Sequence, residues 1–578
     1  MLHANQFTNS VNVAITGSGG AGVITAGTML LEAAAKAGWY GLFTRSSGPQ
    51  IRGGEAAAMI RLGKKPVAAP GDNFDILIAI DWHNIERFAS ELPLTQDSLV
   101  IADPAQGDIP LVIASSGARI LEIPLKDLAK TIKKGRQNMI AFGAIAALIG
   151  LDEDVVDTVM KRLLAKRGKE ALTASREAVV VGGQKIREAG FALAVQVLAD
   201  EGADRWLLSG NEAAGLGALR GGVRFVAAYP ITPATELLEW MAHNLPTMGG
   251  ALVQAEDELA SINMIIGASY GGTPALTATS GPGLALMTES FGLAVASEVP
   301  IIVVNVMRGG PSTGIPTKSE QTDLNIALFG LHGDAPHLVI APNCVGDCVF
   351  STQWAVSLAE ATQTPAIVLS DQLLGQSKVI IDPPADLAFV SRRVSANDIS
   401  EGYQRYGVSG SGVSSMAIPG TPHGQYTADG LEHDEKGHPS SQDKDHTAQL
   451  EKRSAKLDNY DFGSHWADIE GMGPLAIICW GSTTATVREA QARLSGQGLD
   501  FKLISPRLLA PARPNEMARA LKGVERVLTI ELSHSAQFHH YLKGYFDISC
   551  PLQSYHRPGP LPFRVAEICD VITKWSAQ

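Results

Sequence analysis

The chain has 578 residues, 45% hydrophobic and 18% charged, with a formal net charge of −12, which predicts three or four domains and excludes a disordered protein or a nucleic-acid binder. Its five cysteines exclude a disulfide scaffold and fit a reducing, cytoplasmic setting. The longest apolar stretch, residues 140–151, falls short of the roughly 20 needed to cross a bilayer, and the start, MLHANQFTNS, lacks the parts of a secretory signal.

Short apolar, partly β-branched runs at 11–16, 225–229, 275–279, 301–307, 366–369, 475–479 and 526–531 read as strands buried on both faces. Helix-length stretches at 23–38, 235–244, 258–270, 284–297 and 484–495 separate them. The alternation predicts a multi-domain α/β protein with parallel sheets flanked by helices. Boundaries are expected near 195, 390 and 468, and no internal repeat is evident. From 401 to 468 the chain is polar and rich in Gly and Pro. Its composition reads as a disordered linker, with a long ordered loop as the rival.

The first motif, Gly17-Ser18-Gly19-Gly20-Ala21-Gly22, lies between a strand and a helix, the context of a phosphate-cradling loop. An NAD site needs an acid about 20 residues on, and the stretch around Arg45-Ser46-Ser47 carries none. Arg45 and Arg52 favour a ligand with several phosphates; a tight βα turn without a ligand is the alternative.

Next, Tyr229-Pro230-Ile231-Thr232-Pro233 ends a strand. Thr232 reads either as an N-cap before an N1 proline or as a hydroxyl facing a ligand at the carboxyl end of the sheet. Glu256-Asp257-Glu258 enters an apolar helix; the three acids are either a solvated helix start or include one buried carboxylate poised for a cofactor nitrogen. Thr279-Ser280-Gly281-Pro282-Gly283 forms a strand-to-helix turn. Arg308, at a strand's end before a loop of glycines and hydroxyls, suits a carboxylate or phosphate, with a plain ion pair as the alternative.

The runs YPITPATE, EDELASINMIIGASYGG, ALTATSGPG and VNVMRGGPSTGIPTKSEQTDL resemble the α subunit of 2-oxoacid:ferredoxin oxidoreductases. GSGGAGVITAG and RSSGPQIRGGEAAAMIRLG resemble that family's γ subunit, and the chain beyond Pro474 resembles the C-terminal domain of transketolase-like enzymes. The resemblance implies a γ–α fusion. It comprises a γ-type α/β domain (1–195), a transketolase-like pyrimidine-binding domain (196–390), a polar connecting segment (391–467) and a transketolase C-terminal-like domain (468–578). It also implies that the polar segment is ordered.

Members of the family use thiamine diphosphate to decarboxylate a 2-oxoacid, pass electrons to an iron–sulfur cluster and transfer the acyl group to coenzyme A. The resemblance places the cofactor-activating glutamate at Glu258, with Glu256 as second choice, and gives Pro230, Ser280 and Gly281 to the cofactor. It assigns substrate contacts to Thr232, Arg308 and Thr317, with Tyr229 and Ile231 beside them; Glu258, Arg308 and Thr232 form the implied catalytic set. Gly17, Ser18, Gly19, Gly20, Gly22, Arg45 and Arg52 become candidates for coenzyme A.

No Gly-Asp-Gly motif followed by Asn for diphosphate and Mg²⁺ is present; Gly71-Asp72-Asn73 lacks the second glycine. Cys344, Cys348, Cys479, Cys550 and Cys569 have no cluster spacing, and Cys344 and Cys348 read as buried thiols. No metal site is therefore expected on this chain. A β subunit is expected to bring the diphosphate site, Mg²⁺ and a [4Fe–4S] cluster, with ferredoxin as acceptor and an (αβ)₂ heterotetramer as the assembly. The fused arrangement resembles the 2-oxoglutarate-specific group most. Pyruvate and branched-chain 2-oxoacids are the nearer alternatives, an NAD-dependent dehydrogenase or a silent scaffold the more distant.

Overall fold

The computed structural model describes residues 10–48, 54–191, 204–396, 398–399 and 401–578. The chain forms two compact units. The first comprises Met1–Leu208 with Ser377–Ala385 and Arg564–Ala566; the second comprises Ser209–Gln376, Asp386–Phe563 and Glu567–Gln578.

The first unit is built on an eight-stranded sheet. Its order is Arg119–Glu122, Leu99–Ala102, Ile76–Ala79, Ser10–Ser18, Glu55–Gly63, Tyr40–Ser47, Lys378–Ile381 and Trp206–Ser209. The strands from Arg119–Glu122 to Ser10–Ser18 run parallel, as their apolar runs suggest. Glu55–Gly63 pairs antiparallel with both Ser10–Ser18 and Tyr40–Ser47, so this sheet is mixed rather than wholly parallel. The few residues between Tyr40–Ser47 and Glu55–Gly63 allow a hairpin but no crossover helix. Helix Gln137–Leu148 is buried almost all round, which accounts for the apolar run at 140–151 without a membrane. Among the described residues no helix is long and apolar enough to span a bilayer.

The second unit holds a seven-stranded sheet ordered Leu508–Ala510, Leu338–Ile340, Ala366–Asp371, Ile302–Met307, Ala275–Thr279, Phe225–Ala228 and Ala251–Gln254. All its neighbours pair parallel except Leu508–Ala510, which lies antiparallel to Leu338–Ile340. A five-stranded sheet follows, ordered Ala467–Glu470, Lys502–Pro506, Leu475–Ile478, Arg526–Glu531 and Leu552–His556, and parallel except for its first strand. Leu508–Ala510 thus leaves the five-stranded layer to edge the seven-stranded one, and Arg507 before it binds Asp347 and Asp468 at 3.1 and 2.9 Å. The α/β architecture expected from the alternation holds throughout.

The polar segment is ordered. Its helix, Asp443–Asp458, and the loops before it bury Arg405, Tyr406, Met416, His433, Lys452 and Lys456. Lys452 Nζ donates to both oxygens of the fully buried Glu298 at 2.6 Å. Lys456 Nζ meets the same carboxylate at 2.5 Å, and Arg405 Nη1 lies 3.7 Å from it. The disorder reading fails because these polar side chains pair with one another inside the protein instead of facing water.

Candidate active site

Phe225–Ala228 and Ala275–Thr279 are sheet neighbours, and the chain leaves them in opposite directions, to Ala251–Gln254 and to Ile302–Met307. That reversal opens a crevice at the carboxyl ends of the strands, where α/β sheets bind ligands. Tyr229, Pro230 and Ile231 leave the end of Phe225–Ala228, with Tyr229 exposed.

Thr232 does not cap the next helix, contrary to one of its two readings. Helix Thr235–Asn244 has Ala234 in its N-cap position, and the Thr235 N–H donates to the Ile231 carbonyl at 3.0 Å. A cap residue's carbonyl should accept the first helical bond. Here the Thr232 carbonyl accepts a hydrogen bond from Arg308 Nη1 at 2.6 Å instead.

The three acids separate cleanly. Glu256 and Asp257 face solvent, and Asp257 caps helix Glu258–Tyr270 by accepting the Ala260 N–H at 2.7 Å. Glu258 turns inward and is 7% exposed. It lies against the first turn of helix Gly281–Ala296. A Cβ on Gly283 would come within 2.1 Å of Thr279 Oγ1 and 2.7 Å of Glu258 Oε1. On the same turn, a Cβ on Gly281 would come within 2.7 Å of Asp323 Oδ1. Glycine is required at both positions so that two carboxyl groups can close on one turn. The neighbouring Ser280 Oγ is buried without a hydrogen-bond partner among the described residues.

Arg308, also 7% exposed, follows Ile302–Met307. Its Nε is buried and has no partner among the described residues, so part of its donor fork remains unspent. Burial depresses the guanidinium's pKa, and the charge of Asp323 opposes that fall. Asp323 is itself pushed up to about 6 by burial, against the Asn305 hydrogen bond and the Arg308 charge, which lower it. Asn305 Nδ2 donates to Asp323 Oδ2 at 2.9 Å, while Asn305 Oδ1 has no partner among the described residues. Beyond Arg308 the chain folds back on itself: the Ile315 N–H donates to the Gly309 carbonyl at 2.8 Å and the Gly309 N–H to Lys318 at 3.0 Å. Thr317 sits half-buried in that loop.

Thr232, Arg308, Asp323, Gly281, Gly283 and Glu258 thus form one continuous cluster, with Tyr229, Pro230, Ile231 and Thr317 on the loops leaving the same sheet end. Sequence reasoning missed Asp323 and Asn305. Asn305 carried a signal, being a polar residue inside the apolar run 301–307; Asp323 sits among other polar residues, where a single acid reads as solvated.

In the first unit, helix Val23–Lys36 starts after Gly22, whose φ of 88° places it in the left-handed region. Ser18 Oγ donates to Asp81 Oδ2 at 2.7 Å, the Ala21 N–H donates to the Ser18 carbonyl at 3.0 Å, and Asn138 Nδ2 donates to the Gly22 carbonyl at 3.2 Å. Among the described residues, a Cβ on Gly20 would meet nothing within 4 Å. Arg45 lies on Tyr40–Ser47 opposite Ala58, which is also the partner of Ile15. Arg52 lies outside the described residues. The five cysteines are free thiols, and Cys348 Sγ donates to the Cys344 carbonyl at 3.5 Å.

Residues 216–452 match the family described as pyruvate flavodoxin/ferredoxin oxidoreductase, thiamine diP-binding, and residues 12–184 match pyruvate ferredoxin/flavodoxin oxidoreductase. The structure of 2-oxoglutarate:ferredoxin oxidoreductase from Magnetococcus marinus, with 2-oxoglutarate, coenzyme A and succinyl-CoA bound, is 36% identical. It covers 98% of this chain and 99% of its own, with a TM-score of 0.91. The chain belongs to the 2-oxoacid:ferredoxin oxidoreductase family. Within that family, the α subunit from a Sulfolobus species is 29% identical over 597 residues, spanning 92% of each chain. The 2-oxoglutarate synthase subunit KorA of Archaeoglobus fulgidus is 35% identical over 329 residues, 57% of this chain and 88% of its own. The family resemblance drawn from the motifs is therefore borne out along nearly the whole chain.

Proposed function

We propose that this chain is the γ–α subunit of an enzyme that converts 2-oxoglutarate, coenzyme A and two oxidised ferredoxins to succinyl-CoA, CO₂, two reduced ferredoxins and a proton. The observation that carries the reading is Arg308: buried, oriented by the Thr232 carbonyl and with Nε unspent, it matches the C1 carboxylate of a 2-oxoacid. The substrate choice is supported by the ligand carried by the Magnetococcus relative and by the archaeal 2-oxoglutarate synthase relatives. Pyruvate and branched-chain 2-oxoacids are the alternatives.

The residues fit the pyrimidine end of thiamine diphosphate. Glu258 is a buried carboxyl at a turn kept open by glycine, and Ser280 Oγ is an unspent buried hydroxyl beside it. When bound, the cofactor supplies the carbanion chemistry of decarboxylation. Glu258 would hold a proton at the ring nitrogen, with Pro230, Ser280 and Gly281 lining the ring; Arg308 would hold the substrate carboxylate, with Thr232 and Thr317 beside it and Tyr229 and Ile231 toward the entrance. In this reading the 17–22 loop with Arg45 and Arg52 serves coenzyme A, and a β subunit contributes the diphosphate site, Mg²⁺ and a [4Fe–4S] cluster in an (αβ)₂ assembly.

The test is a substrate panel with the enzyme purified together with its partner subunits, supplied with coenzyme A and an artificial electron acceptor. Faster turnover of 2-oxoglutarate than of pyruvate or 2-oxoisovalerate is expected. Arg308→Ala should cut kcat/KM by roughly 30-fold or more, because a buried charge pair is worth about 2–5 kcal/mol. An unchanged kcat/KM removes Arg308 from the site, and a preference for pyruvate overturns the substrate assignment.

A further inference from the structure

Asp323 is a second carboxyl at the site for which the cofactor and substrate assignments have no use. It closes on Gly281 of the turn that Glu258 meets at Gly283, and it shares an electric field with Arg308. The groups bearing on it are Arg308, Asn305 and Glu320: the guanidinium and the Asn305 amide favour its charge, while the Glu320 carboxylate opposes it.

We propose that Asp323 is a positioning residue that neutralises Arg308 when no substrate is bound and takes up one proton when a 2-oxoacid carboxylate engages that guanidinium. The inference rests on the assignment of Arg308 to the substrate carboxylate. The Arg308 guanidinium and an ionised Asp323 offset one another. An incoming carboxylate adds a negative charge in a poorly solvated place, and protonation of Asp323 restores the balance. The neighbouring amide is suited to both states: Asn305 Nδ2 donates to the carboxylate, and Asn305 Oδ1, buried without a partner, is an acceptor for the carboxylic acid once the amide turns. Because burial already raises Asp323 to about 6, part of the rise needed to protonate it is in place before the substrate carboxylate arrives.

Calorimetric titration of 2-oxoglutarate into the enzyme assembled with its partner subunits, in two buffers of different ionisation enthalpy at pH 7.5, counts the protons taken up. Uptake approaching one proton is expected. As a second readout, wild-type kcat/KM should fall about tenfold per pH unit above pH 6 until the bound-state value is passed. Asp323→Asn should bind 2-oxoglutarate without proton uptake and flatten that profile, which loss of a purely structural contact would not do. Zero uptake by the wild type overturns the proposal without any variant, and so does unchanged uptake by Asp323→Asn. Arg308→Ala separates the two readings. If it binds 2-oxoglutarate as the wild type does, the substrate assignment falls and this inference with it. If it loses binding while the wild type takes up no proton, the Asp323 role alone falls.

Discussion

Glu298→Gln probes how the polar segment is held. The wild-type carboxylate is fully buried and faces three cations: Lys452 at 2.6 Å from both oxygens, Lys456 at 2.5 Å and Arg405 at 3.7 Å. Arg405 Nη2 also donates to the Glu298 carbonyl at 2.8 Å, so the loop and the helix converge on one residue. Removing one partner of a buried ion pair costs about 3–5 kcal/mol, because the other charge is stranded. In Glu298→Gln the cationic groups gathered on that carboxylate lose it together. If helix Asp443–Asp458 opens as a local unit, that cost converts to amide exchange roughly 10²–10⁴-fold faster across it. Lys456→Met should behave differently, since one carboxylate still faces two cations and an apolar chain of similar volume replaces a desolvated ammonium. Its exchange should stay within about tenfold of wild type. Hydrogen exchange read by mass spectrometry measures both variants on the full chain. Wild-type exchange in Glu298→Gln, or equal acceleration in Lys456→Met, refutes the reasoning.

Burial and the neighbouring cations lower Lys456 from its ordinary 10.5 to about 7, with Glu298 opposing the fall. Between those values the unfolded segment binds the proton and the folded one does not, so stability should rise with pH over this window. Exchange protection of Asp443–Asp458, corrected for intrinsic rates, should therefore be greater at pH 9 than at pH 7, and Lys456→Met should reduce that difference. Gly283→Ala forces a methyl within 2.1 Å of Thr279 Oγ1 and 2.7 Å of Glu258 Oε1; it should destabilise by about 1–3 kcal/mol and reduce activity at least tenfold at saturating substrate, read by steady-state kinetics. Glu531 is buried and pushed up to about 7, although it accepts the Phe538 and His539 N–H groups at 2.8 and 2.9 Å. Its folded form binds the proton between 4.5 and 7 where the unfolded form does not, so the wild type loses stability as pH rises through that window. The melting temperature of the wild type should fall between pH 5 and pH 8 by more than that of Glu531→Gln, whose amide does not titrate.

Strands such as Ile302–Met307 were legible because every residue is buried, and burial on both faces leaves an unbroken apolar run. The site was legible as motifs at strand ends. Glu258 could not be chosen from periodicity: its helix exposes Leu259 and Met264 while burying Ile262 and Ile265, so no apolar stripe marks the inner face. Motif resemblance made that choice. The polar segment was misread by composition because Arg405, Lys452 and Lys456 stabilise it through ionic contacts that hydropathy counts as solvated. Asp323 was invisible because its burial depends on Gly281 and Asn305, which are distant in sequence and adjacent only in the folded sheet.

The strand Leu508–Ala510 has a mechanical consequence. Swinging the five-stranded sheet away from the seven-stranded one would unzip the pairing of Leu508 and Ala510 with Ile340 and Val339, and would strip Arg507 from Asp347. It would also break the pairing of Gln321 with Leu532 and Trp480, at 2.8, 2.9 and 2.7 Å. These two layers therefore behave as a welded block rather than a hinged jaw.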